Sequence, residues 1–439
     1  MIVKREAERG EPTKFLYPYQ QTSVEQLLAG KKILYAGMGL GKNPISMVWS
    51  AEKCRLTGKH KILVISTPSK VRTSDHEDDM KDFVGATFYN SLDAFEKTSW
   101  HQLYKWVWAH KKDLNDWVVV ADEIQRMKAG AGSRMGKSFL HLVSHNEDWA
   151  GFTGTPGDRF IDLYAYFQAS GLVRSKTQFL QRFCVIQTFK GFPEIIGYRE
   201  ESVLKRWWAQ ISYAPDTHRA LSELPSEQHR VVYFPKPKGY EKVLKMRQKL
   251  CSDGTLSEDY DDFLDNPSKT FQYLRQLCFT KEKQDWLKDF FSDLGEGAVV
   301  FYNYRATGNT LEEIAQKALP EGAKVWRIDG SHHEIPTAET IGPRDIVLCQ
   351  WQSGSEALNL QFLRVWVSVE LTYSFSTASQ ARGRIKRIGQ KRSMLFFYLQ
   401  TKDTIEEDVL KCLHDKSDFS EAVWGIGKGL IKKGEKYEQ

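Results

Sequence analysis

Short runs of apolar, β-branched and aromatic residues recur along the chain, each closed by turn or polar residues and followed by helically spaced apolar positions. In the N-terminal part the runs are Lys32–Tyr35, Lys61–Ser66, Trp117–Ala121 and Trp149–Phe152. In the C-terminal part they are Ala298–Tyr302, Lys324–Ile328, Asp345–Cys349, Arg364–Val369 and Met394–Leu399. Near-continuous apolar character means burial on both faces, as in a parallel sheet covered by helices. Two such series predict an α/β protein with two parallel-sheet domains in tandem. Residues 171–296 read differently. Tyr240–Leu250 and Asn266–Leu277 have helical spacing, Arg230–Phe234 has strand character, and Asp253–Asp265 is an acidic loop. The predicted organisation is a first lobe over residues 1–170, a helical insertion and connection over 171–296, a second lobe over 297–425, and a Lys/Gly-rich basic tail over 426–439.

Composition narrows this picture modestly. A chain of 439 residues, 41% hydrophobic and 27% charged, has material for more than one core. No apolar run approaches the ~20 residues a membrane helix needs, and Met1–Pro12 is charged where a secretory leader would be apolar. The expected setting is therefore an intracellular one, with no membrane partner. The six cysteines are scattered without a CxxC pair, which argues against a zinc site or a disulfide framework. A net charge of +6 suits a polyanionic partner without requiring one.

Candidate chemistry begins after the first strand. Ala36-Gly37-Met38-Gly39-Leu40-Gly41-Lys42-Asn43 is a glycine-rich turn opening a helix at Pro44, a position where the missing N–H costs nothing. Gly37, Gly39 and Gly41 let backbone N–H groups and a helix N-terminus cradle phosphate oxygens, with Lys42 reaching the β- and γ-phosphates. The match to G-x-x-x-x-G-K-S/T is imperfect, because Ala36 stands for the first glycine and Asn43 for the Ser/Thr that holds Mg²⁺. About 80 residues later a buried-type strand ends in Asp122-Glu123, where parallel sheets bind ligands. Asp122 is suited to hold Mg²⁺ and Glu123 to orient the attacking water. The Trp-rich stretch (Trp100, Trp106, Trp108, Trp117) and Trp207-Trp208 are read as core packing in preference to base stacking.

These residues resemble an ordered motif set, that of superfamily 2 helicases and especially the Swi/Snf-type ATPases. Leu16–Gln20 looks like the adenine-reading Q motif, Lys42 and Asp122-Glu123 like motifs I and II, and Phe152–Pro156 like motif III. Val299–Tyr302 resembles motif IV, Arg327–Ser331 the R-x-D-G-S element, Gly354–Leu360 motif V, and Gln380–Gln390 motif VI. The resemblance implies two RecA-like domains in tandem that bind ATP and Mg²⁺. It implies adenine near Gln20, and Arg384 and Arg387 as arginine fingers; at helical spacing these two would share a face. Ser69, Lys70, Arg126, Lys128, Gln352 and Ser353 are the expected phosphate contacts to a polynucleotide. Departures are Asn43, Gln125 for the His of DEAH, and Ser355 and Ala357 in motif V. The expected function is ATP-dependent translocation on double-stranded DNA in replication, repair or recombination. The alternatives are a true DNA- or RNA-unwinding helicase, or a weakly hydrolysing ATP-gated DNA clamp. Single-stranded DNA or RNA are the alternative tracks, a replication or repair protein the expected further partner, and a monomer the expected state. The compact size fits the cytoplasm of a bacterial or phage-infected cell before a nucleus.

Overall fold

The computed structural model describes residues 10–37, 39–157, 159–189, 192–216, 224–253, 266–332, 334–354, 360–387, 389–415, 419 and 428. The chain divides into two compact units, Met1–Leu221 and Ser222–Gln439. The first is built on strands β1 (Ile33–Tyr35), β2 (Lys61–Ser66), β3 (Ala94–Ser99), β4 (Trp117–Asp122), β5 (Trp149–Thr153) and β8 (Ser212–Tyr213). They form one six-stranded sheet in the order β3-β2-β4-β5-β1-β8, and every pairing is parallel. A separate antiparallel hairpin pairs β6 (Cys184–Phe189) with β7 (Phe192–Tyr198).

The second unit repeats the plan. Strands β9 (Glu227–Phe234), β10 (Ala298–Tyr302), β11 (Val325–Ile328), β12 (Ile346–Gln350), β13 (Val365–Ser368) and β14 (Met394–Thr401) are ordered β11-β12-β10-β13-β14-β9, again all parallel. The chain is thus an α/β protein with two RecA-like parallel-sheet units in tandem.

The continuous apolar runs have the reason inferred for them. Along β2 and β4, Leu63, Ile65, Val119 and Ala121 join one core cluster, while Ile62, Val64, Val118 and Val120 join the cluster on the opposite face. Successive side chains of a strand point to opposite faces, so a sheet buried on both sides needs an apolar residue at every position. The same division in the second unit separates Val299, Phe301 and Val347 from Ala298, Val300 and Ile346.

Residues 171–296 are less purely helical than expected. They supply helices, but also the β6–β7 hairpin and an edge strand to each sheet: β8 beside β1 and β9 beside β14. Trp100, Trp106 and Trp117 are buried in the first core, whereas Trp108 is 73% exposed with Lys111 over its ring. Among the described residues, no helix is long and apolar enough to cross a membrane.

Candidate nucleotide-binding site

Parallel pairing sets the site. Tyr35 lies beside Thr153, Asp122 beside Phe152, and Ile65 beside Ala121, so β1, β5, β4 and β2 end side by side. The glycine-rich loop leaves β1 and is fastened there by Ala36 N–H donating to Thr153 O at 3.0 Å. Gly39 and Gly41 have φ of +76° and +73°, the left-handed region that glycine adopts without a Cβ penalty. Gly41 then caps the helix Lys42–Thr57. The Lys42 ammonium folds over the loop, donating to Ala36 O at 2.9 Å and Gly37 O at 3.2 Å.

Gln20, expected at the adenine, is only 3% exposed and supports the loop instead. Its Oε1 accepts from Tyr17 N–H at 2.9 Å and its Nε2 donates to Leu40 O at 3.2 Å, an acceptor it shares with Tyr19 OH. A primary amide offers donor and acceptor at once, which lets one side chain bridge a helix start and a loop carbonyl.

Asp122 ends β4 with its side chain 4% exposed. Its backbone carbonyl accepts from the buried Trp100 indole at 2.8 Å, and its Oδ2 accepts from Ser66 Oγ at 2.7 Å. Burial pushes this carboxyl upward, but the charge and hydrogen bond of Lys70, with Ser66, outweigh it and hold the group at about 2. Lys70, expected on the polynucleotide track, lies instead in this site. Its Nζ is 2.9 Å from Asp122 Oδ2 and 3.1 Å from Asn43 Oδ1. A buried carboxylate requires a counter-charge, and the helix Pro68–Arg72, capped by Thr67, delivers one from the end of β2. Asn43 and Asp122, read as the metal ligands, therefore converge on one cation position.

Glu123 has φ of +50°, uncommon for a residue with a side chain, and its carboxylate accepts from Gln125 Nε2 at 2.5 Å. Backbone held in this region costs about 1–3 kcal/mol and clusters at functional sites. His76 was not singled out by sequence. It is fully buried, has no hydrogen-bond partner among the described residues, and burial first, then Lys70, lowers its pKa to about 4. It is therefore a neutral wall beside Asp122. Ser69 Oγ lies 3.0 Å from Thr67 Oγ1, Arg126 is half-buried, and Lys128 is exposed beyond β4.

In the second unit Arg384 and Arg387 are not on a shared helical face. The helix Phe375–Arg382 stops at Gly383, and the chain turns through Arg384 N–H to Ala381 O and Arg387 N–H to Ile385 O, both 3.1 Å. The turn is pinned by Leu360 N–H on Arg384 O and by buried Gln390, whose Nε2 donates to Gln361 O and Leu363 O. Both arginines are half-buried. Gln352 is exposed and Ser353 half-buried on the short helix after β12. Ser355–Asn359 of motif V lie outside the described residues.

No protein-family model matches the chain. It is 29% identical over 155 residues to an uncharacterized ATP-dependent helicase, YqhH, of Bacillus subtilis (strain 168), covering 33% of this chain and 26% of that protein. It is 23% identical over 225 residues to the RNA polymerase-associated protein RapA of Sodalis glossinidius (strain morsitans), covering 49% of this chain and 23% of that protein. The matches thus span about a quarter of these relatives' own length. A solved structure, the Sulfolobus solfataricus SWI2/SNF2 ATPase core in complex with dsDNA, aligns over 94% of both chains at 16% identity and a TM-score of 0.41. In its ordered motifs the chain resembles the Swi/Snf-type ATPases of superfamily 2, and over part of its length it is similar in sequence to these helicase and RapA relatives.

Proposed function

We propose that the chain is an ATP-hydrolysing motor acting on nucleic acid, with double-stranded DNA as its track. The observation that carries this reading is the convergence of the Lys42 loop, Asp122-Glu123 and Thr153 at neighbouring strand ends of one parallel sheet. The loop amides and the start of the helix Lys42–Thr57 receive phosphate oxygens, and Lys42 exchanges its carbonyl partners for them. Glu123, its carboxylate already oriented by Gln125, positions and deprotonates the attacking water. Asn43 and Asp122 offer an all-oxygen donor pair around one cation position, which suits Mg²⁺ and would hold it. When bound, Mg²⁺ neutralises charge developing on the phosphates. Arg384 and Arg387 are assigned to the same developing charge. Ser69, Arg126, Lys128, Gln352 and Ser353 are assigned to backbone phosphates, sequence-independent contacts that a motor needs. A DNA replication, repair or recombination role in a bacterial or phage-infected cytoplasm is the setting we assign, and the similarity to the RNA polymerase-associated protein RapA makes RNA polymerase a partner to test.

The relative YqhH carries the word helicase in its name, which favours strand separation as the second reading. The test is ATP turnover alone and with duplex DNA, single-stranded DNA and RNA, beside strand displacement. Stimulation by duplex DNA without displacement is expected. Displacement of a forked duplex moves the assignment to the second reading, and no turnover on any polymer moves it to a nucleotide-gated clamp. Glu123→Gln is expected to retain nucleotide and lose turnover by ~10³-fold or more; near-normal turnover removes Glu123 from the role.

A further inference from the structure

We propose that Lys70 is a resident counter-cation of the nucleotide site, which must be exchanged for the divalent ion that accompanies the nucleotide. The inference rests on the nucleotide-binding reading above and adds a device that controls loading. Its ground is geometric. Lys70 Nζ stands 2.9 Å from Asp122 Oδ2 and 3.1 Å from Asn43 Oδ1, so the ammonium bridges the two residues whose oxygens would hold the metal. A magnesium ion binds oxygen at about 2.0–2.1 Å, and an ammonium this close to the same oxygens excludes it. The two cations therefore compete for one place.

The surroundings make the competition matter. Asp122 is 3% exposed, so water cannot screen its charge when the lysine leaves. Lys70 itself is held by a short helix whose first turn is capped by Thr67, with Lys70 N–H donating to Thr67 Oγ1 at 3.4 Å. Its backbone position follows from the end of β2, and its side chain is only 18% exposed. Asn43 takes part for a chemical reason. Its amide oxygen is a strong acceptor carrying partial negative charge, and it serves an ammonium as readily as a metal. The consequence is that free site and loaded site differ by an exchange of cations. Metal-nucleotide affinity is set by that exchange as well as by contacts to the phosphates.

Two binding measurements on the full chain test this. Mg²⁺ alone is titrated while thermal unfolding is followed, and ADP is titrated calorimetrically over a series of Mg²⁺ concentrations. The variants are Lys70→Met, which removes the charge, and Lys70→Gln, which keeps a donor for Asp122 and serves if the first is recovered unfolded. Without metal, both variants are expected to melt below the wild type. Mg²⁺ alone is expected to restore the variants while barely moving the wild type. The Mg²⁺ concentration that half-saturates ADP binding is expected to fall about tenfold, a change of ~1.4 kcal/mol in metal binding. The same Mg²⁺ dependence in wild type and variants overturns the proposal, and Lys70 is then a permanent structural ion pair. If ADP binds none of the proteins, the nucleotide reading fails. The Mg²⁺-only melting comparison still decides whether Lys70 competes with a divalent ion.

Discussion

At Gly41 the phosphate loop turns through φ of +73°, and a Cβ placed there would lie 2.1 Å from Gln20 Nε2. Two costs combine at this atom. The left-handed backbone alone costs an L-residue about 1–2 kcal/mol, and the added carbon displaces the amide that holds Leu40 O. Gly41→Ala is therefore expected to lower the melting temperature and weaken ADP binding at least about tenfold. Differential scanning fluorimetry and titration calorimetry measure the two effects, and an Ala variant with unchanged ADP affinity shows that the loop tolerates the shift. The loop's position, its glycines and the acidic pair were all readable from sequence because strand, turn and helix periodicity place them. The partners of Gln20 and Lys70 were not. Gln20 reaches from a helix start to the loop after β1, and Lys70 from the end of β2 to the end of β4, and no local pattern encodes either crossing. The shared helical face expected for Arg384 and Arg387 is absent for a related reason, since Gly383 stops a helix whose composition alone would let it continue.

At the scale of elements, the helices Lys281–Asp293 and Ile405–His414 flank the second sheet in sequence and are joined by a buried ion pair. Lys283 Nζ donates to both oxygens of Glu406, at 2.7 and 2.9 Å, with side chains 0% and 4% exposed. Glu406 also accepts from Thr401 N–H at 2.8 Å, so the pair fixes the end of β14 as well. Removing one member of such a pair leaves a buried charge without compensation and costs about 3–5 kcal/mol. Lys283→Met is expected to lose that much in urea unfolding. Lys283→Met with Glu406→Gln should recover a large part, because a neutral amide still accepts from Thr401 N–H. Equal losses in the single and double variants refute the argument. Neither residue stood out in sequence, because a pairing between residues 123 apart leaves no local pattern. The nine strands read from sequence were legible within a residue or two because most of their positions are apolar. β3 was not, because Glu96 and Lys97 interrupt it. Those charges are satisfied by Trp106 Nε1 and Glu77. β8 has only two residues and carries no periodicity at all.

Across the whole molecule, acid sensitivity should come from a few carboxylates held below their ordinary range in both units. Asp122 lies at about 2 in the first unit. In the second, Asp329 is lowered, with burial opposing the Ser331 amide, His332 and Arg327; Asp345 is lowered, with burial opposing Trp326 and backbone donors. Glu227 is held at about 2 by the hydrogen bond from His229, against burial, with Lys386 adding its charge. Glu370 shifts the other way, raised by burial, so its ionisation costs stability as pH climbs. The lowered groups bind protons more readily when unfolded, so folding stability rises with pH through their range. Their contribution is complete above the unfolded values near ~4 and is lost as pH falls through the folded ones. Glu227 offers the clean test, because it ties the edge strand β9 to Lys386 of motif VI and lies outside the nucleotide site. Glu227→Gln should be less stable than wild type at neutral pH. The gap should begin to close below about pH 4.3 and approach zero near pH 2. Denaturant unfolding at a series of pH values measures that gap directly. A gap that stays constant from neutral to acid pH would mean that the ion pair with Lys386 contributes packing and no charge stabilisation.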